Sequence, residues 1–237
     1  MSQAGSHTSG TPPLVSSITV VIQTFTSNGT YTPTPDLQYA IIECIGGGGA
    51  GGGAVTTIIG ETSVGGGGGA GEYARGVFSA GTIGASQAVT IGSGGTGVAG
   101  ATGNNGGTTS LGALITAFGG LGGITGSPNP FISFAVGGSG GTGGAGGSLR
   151  SAGNPGGSGF ATPLINTEVG ISGYGGISVL GSGASSVANT LNTSTAGSNA
   201  AGYGSGGSGG LNFPGKTQVA GGNGTSGIVI ITEYVLN

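Results

Sequence analysis

From residue 137 to residue 148 the chain reads GGS GGT GGA GGS, a strict three-residue repeat in a sequence with 64 glycines among 237 residues. Three residues per turn is the period of the polyproline II helix, which rises about 3.1 Å per residue and makes no hydrogen bonds within itself. Buried backbone N–H and C=O groups need partners, so a packed helix of this kind must bond sideways to its neighbours. Glycine at the contacts lets the backbones come together. The repeat therefore predicts a bundle of polyglycine II helices, a scaffold whose surface loops carry function.

Without a period, this much glycine and proline would indicate low-complexity disorder. Disorder also goes with low hydrophobicity and high net charge, whereas 35% of this chain is apolar and 4% charged. A packed chain is expected. A glycine-rich core buries little side-chain area, so ordering rests on backbone bonding and on contacts with other chains. A homo-oligomer is expected, with a trimer as one arrangement. Arg75, Arg150 and Lys216 are the only Lys or Arg residues in a chain of net charge −3, which leaves no patch for neutralising phosphates and argues against nucleic acid as a partner. Cys44 has no second cysteine to pair with and reads as a buried structural thiol. The first fifteen residues lack the basic and apolar regions of a signal peptide, and no run approaches the ~18 apolar residues of a membrane span.

Residues 1–17, rich in Ser, Thr, Gly and Pro, read as an arm or linker, and residues 18–237 as one glycine-rich β/polyglycine II domain. The fold class expected is mainly β and irregular, with strands at both ends of the domain, packed polyglycine II helices between them and essentially no α-helix. Residues 18–26 (ITVVIQTFT) and 30–32, joined at Asn28-Gly29, predict a hairpin. Residues 37–45 (LQYAIIECI) are apolar on both faces apart from Gln38 and Glu43 and predict a central strand. A second hairpin is expected from residues 72–78 and 87–91. The closing run 227–235 (GIVIITEYV) predicts a strand that joins the N-terminal sheet. Glycine at 94, 97, 100 and 103 has a collagen-like spacing, but nine prolines are too few for a triple helix.

Several segments look chemical. Residues 210–217 (GLNFPGKT) match the phosphate-loop pattern letter for letter, yet that loop works only between a buried strand and a helix N-terminus. Here it follows GSGGSGG and leads into TQVAGGNG, which favours a scaffold loop. His7 and Asp36 lack an oriented serine partner. Two of the glutamates could in principle form a glycosidase pair, but Glu43, Glu72 and Glu233 fall within expected strands and read as outward polar positions. Asn28, Asn192 and Asn223 fit the glycosylation pattern, which carries no weight without a signal peptide. No catalytic residue, cofactor or metal site is assigned, and a non-enzymatic protein is expected.

What remains are aromatic interruptions between glycine blocks, in residues 127–136, 160–171, 174–191 and 211–219. Loops on a rigid scaffold often carry binding, and aromatic residues dominate recognition sites. Phe131, Phe134, Phe160, Tyr174, Tyr203 and Phe213 are the candidate receptor-binding residues, with core packing as the competing role.

The order of motifs resembles the glycine-rich domain of bacteriophage tail-fibre and adhesin proteins. The matching pieces are Thr24-Phe25-Thr26, Gly29-Thr30-Tyr31-Thr32-Pro33, Ile41 to Ile45 entering Gly46 to Gly53, and Gly71-Glu72-Tyr73-Ala74-Arg75-Gly76. They continue through Val89-Thr90-Ile91-Gly92, Asn105 to Gly112, Ala117 to Gly123 and Gly227 to Tyr234, in about half of the chain. Leu111 stands where the family has phenylalanine. The resemblance implies a virion structural protein, made in the host cytoplasm, that displays loops for a bacterial surface receptor and attaches to other virion proteins through its N-terminal arm. It implies no catalytic residues. Two other readings are open: a self-assembling filament or matrix protein on the outside of a bacterial cell, and an ice-binding protein.

If glycine is required where helices meet, Gly141→Val should lower thermal stability by about 1–3 kcal/mol through overpacking. Lys216→Ala should stay within about 0.5 kcal/mol of wild type. Thermal unfolding of the two variants checks both, and ATP-dependent stabilisation lost in Lys216→Ala would favour a nucleotide site.

Overall fold

The computed structural model describes residues 17–163, 169–189 and 193–237. Apart from Ser17, the expected N-terminal arm lies outside the described residues, as do His7, Glu168, Asn192 and parts of the 160–171 and 174–191 interruptions.

The first layer is an antiparallel sheet in the order β1 (Ile18–Phe25), β17 (Ile228–Leu236), β3 (Leu37–Ile45), β5 (Tyr73–Ser79) and β10 (Leu149–Ser151). The expected central strand is β3, and the closing run is β17, which lies between β1 and β3 and joins the two ends of the domain. A second sheet, in the order β2 (Gly29–Tyr31), β6 (Gln87–Thr90), β7 (Thr109–Leu111) and β8 (Ile115–Ala117), packs against the inner face of the first. Between them lies a core containing Ala40, Ile42 and Cys44 from β3, Val229 and Ile231 from β17, Tyr31 from β2, and Leu111 and Ile115 from β7 and β8. Cys44 is buried there, and that burial pushes its thiol pKa up to about 12.

Neither expected hairpin forms. β1 pairs with β17 along its full length, a longer apolar partner than the three residues of β2. The Asn28 side chain, expected to make the hairpin turn, accepts the N–H of Ile91 at 2.8 Å, beside the pairing of β2 with β6. β5 and β6 likewise belong to different sheets, separated by the four-residue helix α1 (Ala80–Ile83), which is capped by the Ser79 side chain.

Where β3 ends the chain passes straight into the glycine blocks. Segment 46–54 donates every third N–H to the same neighbour. Gly46, Gly49 and Gly52 donate to the carbonyls of Glu72, Gly69 and Gly66; Gly47, Ala50 and Gly53 to those of Gly107, Asn104 and Ala101; Gly48, Gly51 and Ala54 to those of Thr225, Gly222 and Val219, all at 2.8–3.0 Å. The partner number falls by three as the donor number rises by three, so these neighbours run antiparallel. In return the carbonyls of 46–54 accept N–H groups from Gly95, Gly120, Gly123, Gly207 and Gly210. The segment is therefore enclosed by 65–72, 93–98, 101–107, 118–124, 204–210 and 219–225, a hexagonal packing of three-residue helices. Segment 65–72 has its own enclosure, sharing 46–54, 118–124 and 204–210 and adding 136–141, 153–157 and 173–176.

Glycine is required here for the space it leaves. A Cβ on Gly67 would lie 1.7 Å from the carbonyl oxygen of Tyr174, on Gly51 1.9 Å from that of Ser208, and on Gly141 2.2 Å from that of Phe118. Side chains appear where a helix turns outward, again every third residue: Phe118, Leu121 and Ile124 on one outer helix, and Val136, Ser139 and Thr142 on its antiparallel neighbour, are all exposed. The repeat that opens at Gly137 leaves the lattice after Thr142, because Gly143, Gly146 and Gly147 take positive φ and turn the chain toward β10. The collagen-like spacing likewise covers two antiparallel helices joined at Gly100, with φ 65°.

At the far end of the bundle a third sheet runs in the order β14 (Ala188–Asn189), β12 (Val169–Ile171), β11 (Gly159–Thr162) and β9 (Ser133–Ala135). It lies over the short pair β4 (Ser63–Val64) and β16 (Leu211–Asn212), with Val64, Ala135, Ala161, Leu211 and Phe213 as a second core. The nine residues of 46–54 separate the two ends by about 28 Å at the polyproline II rise. A small pair, β13 (Leu180–Ser182) with β15 (Ala201–Tyr203), completes the structure near the first sheet.

Gly67→Ala should destabilise by about 1–3 kcal/mol or more, since the added carbon meets backbone that cannot move alone. Gly81→Ala, with no atom within 4 Å of its Cβ and a place in α1, should be neutral or stabilising by up to about 1 kcal/mol. Paired thermal melts check the contrast.

Candidate functional site

Glu72 and Glu233 are spent on structure. Glu233 and Glu72, expected to face outward, are buried. Inward-facing Glu233 sits on β17 and accepts four hydrogen bonds: from the Tyr31 hydroxyl at 2.7 Å, the Thr34 N–H at 3.0 Å, the Thr34 hydroxyl at 2.6 Å and the Gln23 amide at 3.2 Å. Burial alone would raise its pKa, but the donors from Thr34, Tyr31 and Gln23 outweigh that and hold it below the ordinary carboxylate value. The same burial and the bond to Glu233 push the Tyr31 hydroxyl upward. Glu72 pairs with Arg150 at 2.7 Å and accepts the N–H groups of Phe118 and Gly144, while Arg150 donates to the carbonyls of Thr116 and Ala145. This ion pair satisfies backbone groups left over where polyglycine helices give way to sheet.

The phosphate-loop pattern is a link between two antiparallel polyglycine helices. It holds the two residues of β16 and a turn at Gly215 with φ 70°, and no helix follows. The Lys216 backbone bonds Thr57 through both its N–H and its carbonyl.

The candidate aromatic residues separate into three places. Phe131, Phe134 and Phe160 come together at the far end. In the register of β9, β11 and β12, Phe160 lies opposite Phe134 on one side and Ile171 on the other, so the three stand side by side on the outward face. The alternate positions Ala135, Ala161 and Gly170 point inward, where a Cβ on Gly170 would come within 2.7 Å of the Leu211 side chain. Small residues inside and large ones outside leave these aromatic side chains with nowhere else to go. Phe131 belongs to the loop before β9, where the Asn129 side chain accepts the N–H groups of Phe131 and Ile132 at 2.8 and 3.0 Å. Asn129 is in turn tied by two backbone bonds to Thr62. That anchored turn leaves Phe131 78% exposed.

Pro130, Phe131, Ile132, Phe160, Thr162 and Pro163 line an open cleft of about 440 Å³. Thr162 is the only one of the six with a polar side chain, so the cleft suits an uncharged or apolar surface group more than an ion. Beside it the 55–61 loop presents Ile58 and Ile59, the latter 91% exposed.

The other candidates lie elsewhere. Phe213, offered as a binding residue, is fully buried in the far-end core and supports the cleft from behind. Tyr174 is exposed on the flank of the bundle, its ring over Gly157. Tyr203 is half-buried in β15 near the first sheet, away from the cleft. Ile132 and Ile171 fall within the expected interruptions 127–136 and 160–171 but were not singled out, and sequence reasoning missed Ile58 and Ile59. An aliphatic pair before a glycine gives no sign of exposure, and the only usable signal was the proline on either side of the aromatic stretches.

The glycine-rich domain family matches residues 24–234, which takes in the bundle, the far end and the sandwich except for most of β1 and the last two residues of β17. The chain belongs to this family. No curated protein matches it.

Glu233 sets an acid limit on the fold. With the folded pKa below the unfolded one, its contribution is complete above the unfolded carboxylate range near pH 4.3 and is lost as pH falls through the folded value. Glu233→Gln, which cannot accept all four bonds, should cost about 1–3 kcal/mol at pH 7 and should flatten the acid side of the stability curve. Denaturant unfolding at a series of pH values measures both effects.

Proposed function

We propose that the chain is a bacteriophage virion structural protein, a tail-fibre, spike or adhesin subunit whose far-end loops bind a receptor on the bacterial surface. The observation that carries this reading is the aromatic cleft held on an inflexible bundle about 28 Å from the sandwich. At the sandwich end, Asn237 donates its N–H to the carbonyl of Ser17, so both ends of the described main domain lie opposite the cleft. Anchoring at one end and recognition at the other suit a particle-borne binder. Exposed, unpaired aromatic side chains on a stiff support lose little entropy on binding. Membership of the glycine-rich family is compatible with the reading at a coarser level, as is the resemblance of the motif order to phage fibre domains. In this reading the protein is non-enzymatic and needs no cofactor.

Purified protein should bind cells of the phage host and compete with phage adsorption. Phe131→Ala, at a side chain that the fold does not use, should weaken cell binding about tenfold or more while leaving the melting temperature unchanged. Binding that survives Phe131→Ala and Phe160→Ala together would move the receptor site off the cleft. Absence of the chain from purified virions would end the proposal.

A further inference from the structure

Two turns stand side by side at the far end. Thr62 and Asn129 are joined there by two backbone hydrogen bonds, at 3.1 and 3.0 Å. From that bridge the chain runs back through 61, 60 and 59 on one side and forward through 130, 131 and 132 on the other, so both turns leave it in the same direction. The first carries Ile58 and Ile59 and bends at Gly60, where φ is 86° and an added Cβ would meet no atom within 4 Å. The second carries Phe131 and Ile132. All four side chains are more than half exposed, and Phe134, Phe160 and Ile171 extend the apolar surface over the third sheet. An exposed apolar cluster of this size marks an interaction site.

The backbone of these turns is bonded within the protein. The Ile58 carbonyl accepts the N–H groups of Glu61 and Gly215 at 3.2 and 3.1 Å, and the Thr57 N–H donates to the Lys216 carbonyl at 3.0 Å. The Asn129 side chain holds the N–H groups of Phe131 and Ile132. Polar groups that enter an apolar medium without a partner are costly, and these have partners before any ligand arrives. Among the described residues, Glu61 and Lys216 are the only charged ones at this end, the others belonging to the sandwich and its junction with the bundle. Both stand at the base of the first turn, where the Glu61 carboxylate accepts the Ile58 N–H at 3.4 Å and the Lys216 backbone bonds Thr57.

The chemistry of the tips selects the partner. A glycan or a protein is held in one orientation by placed hydrogen bonds, and the side chains of Ile58, Ile59, Phe131 and Ile132 have no donor or acceptor to place. A fluid apolar layer needs none. We infer that the surface component met by this end is lipid, with turns 58–61 and 129–132 entering the boundary between the headgroups and acyl chains of a bilayer to a depth of about 5–10 Å. Glu61 and Lys216 then stay at the level of the headgroups. The inference rests on the reading of the far end as the end that meets the cell.

Flotation of the full chain with phosphatidylcholine vesicles tests it. Wild type should float with the vesicles, and raising salt from about 0.1 M to about 0.5 M should change the bound fraction less than about twofold, since no ion pair is involved. Ile58→Ser with Ile59→Ser alters two side chains that already face solvent, and should lower vesicle binding about tenfold or more with an unchanged melting temperature. The chain has no tryptophan, so an introduced one reports its own surroundings. In Ile59→Trp the emission should shift to the blue when vesicles are added and be quenched by brominated acyl chains. In Val77→Trp, on β5 at the sandwich end, neither change should occur. A wild type that stays in the aqueous fraction, binding that requires anionic lipid, or an Ile59→Trp emission that brominated chains do not quench would each overturn the inference. Cell binding that persists in those cases keeps the far end as the recognition end with a receptor other than lipid, whereas flotation without cell binding keeps the lipid contact and removes that reading.

Discussion

The backbone hydrogen bond between neighbouring three-residue helices is the interaction on which the molecule depends, and it forms only where no Cβ stands between the chains. A carbon added at most lattice glycines would fall about 2 Å from a carbonyl oxygen, as at Gly51 and Gly67. Each such bond adds a net of only about 0.5–1.5 kcal/mol, and glycine loses more conformational freedom on folding than any other residue. A bundle made this way needs every N–H and C=O used and its ends held. The enclosure of 46–54 and 65–72 on all sides meets the first need. The two apolar cores meet the second, one in the sandwich and one behind the far-end sheet.

Two buried carboxylates are placed where regular backbone bonding lapses. Glu72 and Arg150 take up the N–H groups of Phe118 and Gly144 and the carbonyls of Thr116 and Ala145, at the junction of outer helices with β8 and β10. Glu233 collects the donors of Thr34, Tyr31 and Gln23, fixing the crossing of the chain from one sheet to the other. Carboxylates on adjoining strands of a β protein suggest catalytic pairing when read from sequence alone, but both carboxylates here hold up the fold. A consequence is a surface on which shape and apolar area, more than charge, decide what binds. The aromatic cleft and the paired turns beside it are the two clearest cases.

Much of the architecture is legible in the sequence. The three-residue repeat specified sideways-bonded polyglycine helices, the uninterrupted apolar run of β3 specified a central strand, and the run of β17 specified its return to the N-terminal sheet. The hairpins were misread because local turn signals at Asn28-Gly29 compete with longer partners that only become neighbours once the chain ends meet. In the site, the aromatic interruptions pointed to Phe131, Phe134 and Phe160. Nothing local distinguished them from Phe213, since all four follow glycine or proline-rich stretches.

The sequence by itself determined the type of contact, because a glycine at every position where backbones touch is a requirement written residue by residue. It also marked the stretches of β1, β2, β3, β5, β6 and β17 as strands, while the short strands between the glycine blocks carried no such mark. Tertiary structure alone decided which helix lies against which, and hence which side chains face out. In a lattice where every glycine segment can bond equally well to any other, neighbour choice is set by the sheets at either end. That choice puts Phe134 and Phe160 outside and Phe213 inside, and turns Ile18, Val20 and Ile22 away from the core.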